Sequence, residues 1–137
     1  MARERAPGRH QTIAAVALLV PDYDEAIAFY VGKLGFRLLE DIAQPGPKRW
    51  VTVAPPGSGC CALLLAQAKG DLQKEAIGNQ AGGRVFLFLE TDDFDRDHAA
   101  MLTAGVKFEE APRNEPYGRV AVWQDPFGNR WDLLQRA

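Results

Sequence analysis

The chain has 137 residues, of which 47% are hydrophobic, and it balances 16 Lys and Arg against 18 Asp and Glu for a net charge of −2. That length suits one domain with a sizeable core, and the balanced charge argues against nucleic acid as a partner. No apolar run approaches the roughly 20 residues of a membrane-spanning helix, and the only cysteines are the neighbours Cys60 and Cys61, so we expect a cytoplasmic protein without a membrane partner.

The first half of the chain predicts a strand, a helix and three further strands. An apolar run at 12–20 is stopped by Pro21 and predicts a buried strand. Asp22 then caps a helix, with Glu25 three residues later as in a capping box, and Gly35 ends it. Turn residues separate three more predicted strands, at 36–42, 50–54 and 61–66. The order of elements is therefore βαβββ.

The second half repeats this order. A strand is predicted at 84–90 with both faces apolar and covered, then a helix from the cap Asp93 to Gly105, then strands at 106–111, 119–124 and 130–135. Asp22 and Asp93 are 71 residues apart, as are Asp24 and Asp95. We predict a duplicated half-domain: a flexible leader at 1–11, module one at about 12–67, a linker at 68–83 with at most a short helix at 71–77, and module two at about 84–137.

Three groups of residues carry a resemblance to a known superfamily. They are Val20-Pro21-Asp22 with Ala28-Phe29-Tyr30 and Leu34-Gly35-Phe36, then Thr91-Asp92-Asp93-Phe94, and finally Asp125-Pro126-Phe127-Gly128-Asn129. In this order and spacing the chain resembles the vicinal oxygen chelate superfamily, which holds glyoxalase I, bleomycin-resistance proteins, fosfomycin-resistance proteins and extradiol dioxygenases. The resemblance implies an α+β fold in which two tandem βαβββ modules form an open, curved mixed sheet.

The resemblance also locates four positions at which metal-dependent members carry ligands, on the first and last strand of each module. In this chain these positions fall at Ala15, Leu64, Phe86 and Asp132. Only Asp132 has a donor atom, whereas a catalytic divalent metal needs about three protein ligands. We therefore expect no cofactor and no catalytic metal.

The mouth of the implied barrel is the predicted ligand site. Six residues are candidates for binding: Trp50, Thr52, Tyr117, Arg119, Trp123 and Asp132. The tryptophans can instead pack between sheet and helix, Arg119 can pair with a surface carboxylate, and Tyr117 with Gly118 can shape a turn. Asp132 is hardest to explain structurally, because a buried carboxylate on a central strand needs Arg119, Arg130 or a cationic ligand as partner, and it is the one candidate general base.

Other reactive or polar residues receive structural interpretations. His98 is expected to pack half-buried on the second helix, and His10 to be exposed in the leader. Cys60 and Cys61 are expected on opposite faces of a strand, so one of them can face the cavity as a nucleophile. The favoured interpretation is that both are small apolar fillers. Residues 112–116 form either a lid over the pocket or a plain connection.

Two classes of function fit these observations. The first is a metal-free binding protein similar to the bleomycin-resistance branch, a homodimer that sequesters a flat or aromatic small molecule without changing it. The second is a glyoxalase-like lyase or an extradiol-dioxygenase-like enzyme with a degenerate metal site, although no nucleophile, base and orienting group can be matched by spacing. Besides these two classes, the chain can be a subunit or domain whose partner completes the site. We favour the first.

Overall fold

The computed structural model describes residues 8–57, 59 and 61–137. It has a mixed α+β fold, as predicted. The elements of the first half are β1 (Ala15–Val20), α1 (Tyr23–Ile27), a π-helix (Ala28–Lys33), β2 (Arg37–Ala43), β3 (Arg49–Ala54) and β4 (Ala62–Gln67). Those that follow are α2 (Gly70–Ala76), β5 (Leu87–Glu90), α3 (Phe94–Thr103), β6 (Lys107–Phe108), β7 (Arg113–Glu115), β8 (Gly118–Gln124) and β9 (Arg130–Arg136). Within this part of the chain, no helix is long and apolar enough to span a bilayer.

Each half of the chain forms its own sheet, and the two sheets have the same strand order. The first runs β1-β4-β3-β2, and the second runs β5-β9-β8-β6, with β7 also paired to β8. In both sheets the first strand lies parallel to the last one, β1 to β4 and β5 to β9, and the other pairs are antiparallel. The internal repeat inferred from the sequence is therefore present in the topology.

Local signals in the sequence set the helix ends. The carboxylate of Asp22 accepts a hydrogen bond from the amide of Glu25 at 2.9 Å, and Asp93 accepts one from the amide of Arg96 at 3.1 Å. Both N-caps are confirmed. Gly35, with φ of 78°, follows the first helix and lets the chain turn back in the left-handed region.

The first helix departs from the prediction because its second half is a π-helix. The amide of Leu34 bonds to the carbonyl of Phe29, five residues back, at 3.0 Å. Such a wide turn is equivalent to one extra residue in an α-helix. Phe29 and Tyr30, near the start of the π-helix, are both buried, at 7% and 0% exposure.

The two halves share one core. Phe29 and Tyr30 of the first helix lie against Trp123 and Trp131 of the second sheet, with ring centroids 6.2 and 5.9 Å apart, respectively. The two indoles stack on each other at 4.9 Å. Because side chains alternate along a strand, the residues between these core positions face away from the core, and we call that side the outer face of each sheet.

The outer faces include three of the six predicted binding residues. On the first sheet the outer face includes Ala17, Glu40, Trp50, Thr52 and Leu64; on the second it includes Phe88, Val120, Val122, Asp132 and Leu134.

Several strands are shorter than predicted. β1 begins at Ala15 rather than at residue 12, and β5 covers only Leu87–Glu90. The expectation that this strand is covered on both sides is wrong, because Phe88 lies on the outer face and is 64% exposed. The short helix predicted at 71–77 is confirmed as α2.

The strand predicted at 106–111 is also interrupted. After Lys107–Phe108, the side chain of Glu110 replaces a backbone partner and accepts a hydrogen bond from the amide of Val122 at 2.9 Å. Residues Arg113–Glu115 then pair with β8 again. The segment 112–116 is thus largely a paired strand and not a free lid.

Candidate functional site

The outer face of the first sheet presents an indole held by a carboxylate. Trp50 is 39% exposed, and its Nε1 donates to Oε1 of Glu40 at 3.1 Å. The hydroxyl of Thr52, which is 3% exposed, donates to the same oxygen at 3.1 Å. Glu40 therefore fixes the orientation of an exposed aromatic ring. Sequence reasoning missed Glu40, because β2 reaches its register with β3 through an irregularity between Leu38 and Glu40.

A cavity of about 460 Å³ opens beside Trp50. Its wall includes side chains of the outer face together with the β2–β3 turn and α2, among them Tyr23, Lys48, Trp50, Leu64, Ala66 and Gln73. This size lies within the range of small-molecule pockets, about 300–1,000 Å³, and the mixture of apolar wall and few polar groups is typical of them.

The outer face of the second sheet has a carboxylate at its centre. Asp132 is only 8% exposed and lies between Phe88 of β5 and Val122 of β8. Its Oδ1 has no hydrogen-bond partner within the described part of the chain. Burial raises the pKa of Asp132 above its ordinary value, which the charge of Arg113 opposes and that of Glu110 reinforces.

The arginines near Asp132 form ion pairs with other carboxylates. Arg130 binds Glu109 through two nitrogens, both at 2.8 Å, and Arg113 binds Glu110 at 3.1 Å. The bond to Arg130 holds the pKa of Glu109 below its ordinary value. Neither of the partners expected for Asp132, Arg119 or Arg130, makes an ion pair with it. The charges of Arg113 and Arg130 still favour the ionised form of Asp132, but neither arginine forms an ion pair with it.

The structure does not bring the six predicted binding residues together. Trp50 and Thr52 lie on the outer face of the first sheet and Asp132 on that of the second. Trp123 is fully buried in the shared core. The packing alternative holds for this residue, because it lies opposite Trp131 in the β8–β9 pair and so faces away from the side of Asp132.

The other two predicted residues lie at the edge of the second sheet. Arg119 is on the core side of β8, 3.4 Å from Asp95 and over the ring of Phe94, so its pairing with a surface carboxylate is confirmed. Tyr117 is 51% exposed in the β7–β8 turn. The following Gly118 has no room for a Cβ, which would overlap the carbonyl oxygen of Gln135.

The four positions that the resemblance assigned to metal ligands do not fit a divalent metal. Asp132 lies opposite Phe88 in the β5–β9 pair, and Leu64 lies opposite Ala17 in the β1–β4 pair. Ala15 pairs with Ala62, and Phe86 precedes β5 and packs, partly buried, against the shared core. Across residues 8–57, 59 and 61–137, no cluster of three or more His, Cys, Asp or Glu side chains is arranged for a metal ion. One carboxylate among apolar side chains is an unsuitable donor set for such an ion.

The structure also shows where the histidines and Cys61 lie. His98 is half-buried, stacked on Phe94 at 5.4 Å and edge-on to Phe108 at 4.6 Å, as predicted. His10 is exposed. Cys61 is exposed and precedes β4 rather than lying in it, so it is not an apolar filler, and Cys60 lies outside the described residues.

Comparison with known proteins identifies the family. A family model described as the Glyoxalase/Bleomycin resistance protein/Dioxygenase superfamily matches residues 12–133. The chain belongs to this superfamily. An uncharacterised protein of Shewanella frigidimarina (strain NCIMB 400) is 58% identical over 126 residues, which are 91% of this chain and 93% of that protein.

Two solved structures in the same fold are similar over almost the whole chain. TnmS3, an antibiotic binding protein from Streptomyces sp. CB03234, is 34% identical, with a TM-score of 0.74 and coverage of 97% of this chain and 100% of that one. UcmS2 is 27% identical, with a TM-score of 0.79 and coverage of 92% and 98%. Membership of the superfamily fixes the fold but not the chemistry, since members both bind and transform small molecules.

Proposed function

We propose that this protein binds a small organic molecule on the outer faces of its sheets and sequesters it without chemical change. The observation that carries the proposal is the exposed indole of Trp50, held by Glu40 at the edge of a cavity of about 460 Å³. A ring that is already oriented loses little conformational entropy when a ligand stacks on it. The similarity to TnmS3, an antibiotic binding protein, supports the same ligand class.

We infer further that the working form is a homodimer. Large apolar side chains are exposed on the outer face of the first sheet, where Ile42 is 49% and Trp50 39% exposed, and on that of the second, where Phe88 is 64% exposed. Exposure of this kind on strands indicates a surface that a partner covers. A second copy lying over these faces would enclose a ligand between them. Size-exclusion chromatography with light scattering tests this, and a monomer at all concentrations would contradict it.

The binding experiment uses a panel of antibiotics that contains bleomycin and several polycyclic aromatic compounds. Binding is measured by calorimetry, and the compound is recovered and analysed by mass spectrometry. We expect saturable binding to the wild type, recovery of the compound unchanged, and at least about tenfold weaker binding by Trp50→Ala, since loss of an aromatic contact removes more than 1 kcal/mol. Leu102→Ala, at an exposed position on α3, is the matched control. A modified product would favour the enzyme alternative.

The absence of a catalytic metal is part of the proposal and needs its own test. The purified protein is dialysed against Ni, Zn, Fe and Mn in turn, and its metal content is measured by elemental analysis. We expect no stoichiometric metal in the wild type. A stoichiometric metal that is lost in Asp132→Ala would contradict the proposal and return the chain to the lyase and dioxygenase branches.

A further inference from the structure

The two modules differ at one position where their backbones correspond. On the last strand of the first sheet, Leu64 lies opposite Ala17, and on the last strand of the second, Asp132 lies opposite Phe88. Ala17 and Phe88 are 71 residues apart, the same spacing as the helix caps. The first module shows that this strand is built with an apolar side chain, so the fold itself does not require a carboxylate at Asp132.

Asp132 is also poorly accommodated where it lies. The residue is 8% exposed, and its Oδ1 has no hydrogen-bond partner in the described part of the chain. The two arginines whose charges act on it, Arg113 and Arg130, form ion pairs with Glu110 and Glu109. Burial raises the pKa of its carboxyl, which is a sign of the same unfavourable environment. Buried polar groups are nearly always paired, and an exception indicates either a functional role or a missing donor.

An exposed aromatic ring accompanies the carboxylate. Phe88 is the cross-strand neighbour of Asp132 on the outer face and is 64% exposed. Neighbouring strands lie about 5 Å apart in a sheet, so one molecule can touch both side chains of this parallel pair. Rotation about the Cβ–Cγ bond of an aspartate exchanges its two oxygens at little cost, and either one can then face the ligand.

We propose that Phe88 and Asp132 form a single subsite for an aromatic ring that carries an N–H or O–H donor. The ring lies on Phe88, and its donor binds the carboxylate of Asp132. This inference rests on the proposed function and narrows the ligand class to phenols and to amines carried on an aromatic ring through a methylene group.

The test compares three probes that share a naphthalene ring and differ in the group at its 2-position: 2-naphthol, the cationic 2-(aminomethyl)naphthalene, and 2-methoxynaphthalene, which has no donor. Dissociation constants are measured by ligand-observed NMR titration of the full chain. The variants are Asp132→Leu, which copies the residue of the first module, Asp132→Asn, which keeps an uncharged acceptor, Phe88→Ala, and the exposed control Leu102→Ala.

We expect the wild type and Leu102→Ala to bind both donor probes about tenfold more tightly than 2-methoxynaphthalene, as a hydrogen bond to a charged group provides. Asp132→Leu abolishes this preference. Asp132→Asn keeps part of it for the naphthol and loses it for the amine, and Phe88→Ala weakens all three probes about equally.

Equal binding of all three probes by the wild type, or an unchanged preference in Asp132→Leu, would overturn the subsite and leave the proposed binding function standing. Failure of all three probes, while a member of the antibiotic panel binds, would have the same meaning. Failure of every probe and every panel member would overturn both proposals.

Discussion

The hydroxyl of Tyr30 in the first module donates a buried hydrogen bond of 2.6 Å to Oδ2 of Asp125 in the second. Asp125 also accepts the amides of Phe127 and Asn129, both at 2.9 Å, and the side-chain amide of Asn129 at 2.7 Å. The Nε1 of Trp131 donates to the Tyr30 oxygen at 3.3 Å. The turn that carried part of the family resemblance therefore joins the two modules as well as connecting β8 to β9.

Removal of that hydroxyl should weaken the contact between the modules. In Tyr30→Phe, the indole N–H of Trp131 loses its acceptor, and Oδ2 of Asp125 loses one donor. We expect a loss of about 1–3 kcal/mol in the free energy of unfolding, measured in urea, because buried groups are left unpaired. Tyr117→Phe, at a site 51% exposed, is the control and should change it by less than about 0.5 kcal/mol. Equal effects would show that the buried bond contributes nothing.

The same tyrosine predicts how stability changes at alkaline pH. Burial, together with the nearby negative charge of Asp125 and the hydrogen bond to it, raises the pKa of Tyr30 well above its ordinary value. The contribution of Tyr30 is therefore complete below the ordinary pKa of about 10 and is lost as the pH rises further, because only the unfolded chain releases the proton.

Thermal unfolding between pH 8 and 11 measures this effect. The wild type should be more stable than Tyr30→Phe at pH 8, and the difference should shrink above about pH 10. The other two tyrosines are present in both proteins and cancel in the comparison. A difference that stays constant to pH 11 would contradict the prediction.

Replacement of Asp132, unlike that of Tyr30, is predicted to make the protein more stable. Replacement by Leu, the residue of the first module, should stabilise the protein by about 1–3 kcal/mol near neutral pH, because it removes a buried carboxylate whose Oδ1 has no hydrogen-bond partner. The pKa of Asp132 is raised, so the gain should be smallest below the unfolded pKa of about 4, should grow between that pH and the raised pKa, and should be constant above it.

Thr52→Val, on the first sheet, is the control for Asp132→Leu. Thr52→Val also removes a polar group from a buried outer-face position, but this group has a partner in Glu40. Urea unfolding should therefore show no stabilisation for Thr52→Val. A gain of the same size in both variants would mean that apolar burial alone explains the effect at Asp132.

Gly78, which lies between α2 and β5, is predicted not to tolerate a side chain. Its φ of 74° lies in the left-handed region, and a Cβ there would overlap the carbonyl oxygen of Phe127. Gly82 has φ of 66° but open space around it, so Gly82→Ala carries only the backbone strain of about 1 kcal/mol. We expect Gly78→Ala to lower the melting temperature clearly more than Gly82→Ala. Similar melting temperatures would show that the linker moves aside.

The sequence was sufficient for features that depend on neighbouring residues. The caps Asp22 and Asp93 and the helix-ending Gly35 are local signals, and the structure confirms them. The π-helix was not predictable, because its hydrogen bonds follow from how Phe29 and Tyr30 pack on the other module.

The residues of the candidate binding site were harder to predict, because their positions depend on which face of a strand points outward. For Trp123, however, the sequence contained a usable signal. The turn at 125–129 sets Gln124 opposite Arg130, which places Trp123 beside Trp131 and therefore on the side away from Asp132. Glu40 gave no such signal, since its position depends on an irregular pairing of β2 with β3.

The π-helix lets the chain hold one more residue than an α-helix between two aromatic contacts. If the same residues Ala28–Lys33 formed an ordinary α-helix, the residues on its two sides would rotate relative to each other by about 100°. Tyr30 and Phe36, whose rings both contact Trp131, could then no longer do so together. A relative that keeps the aromatic cluster should therefore have either the wide turn or one residue fewer in this helix.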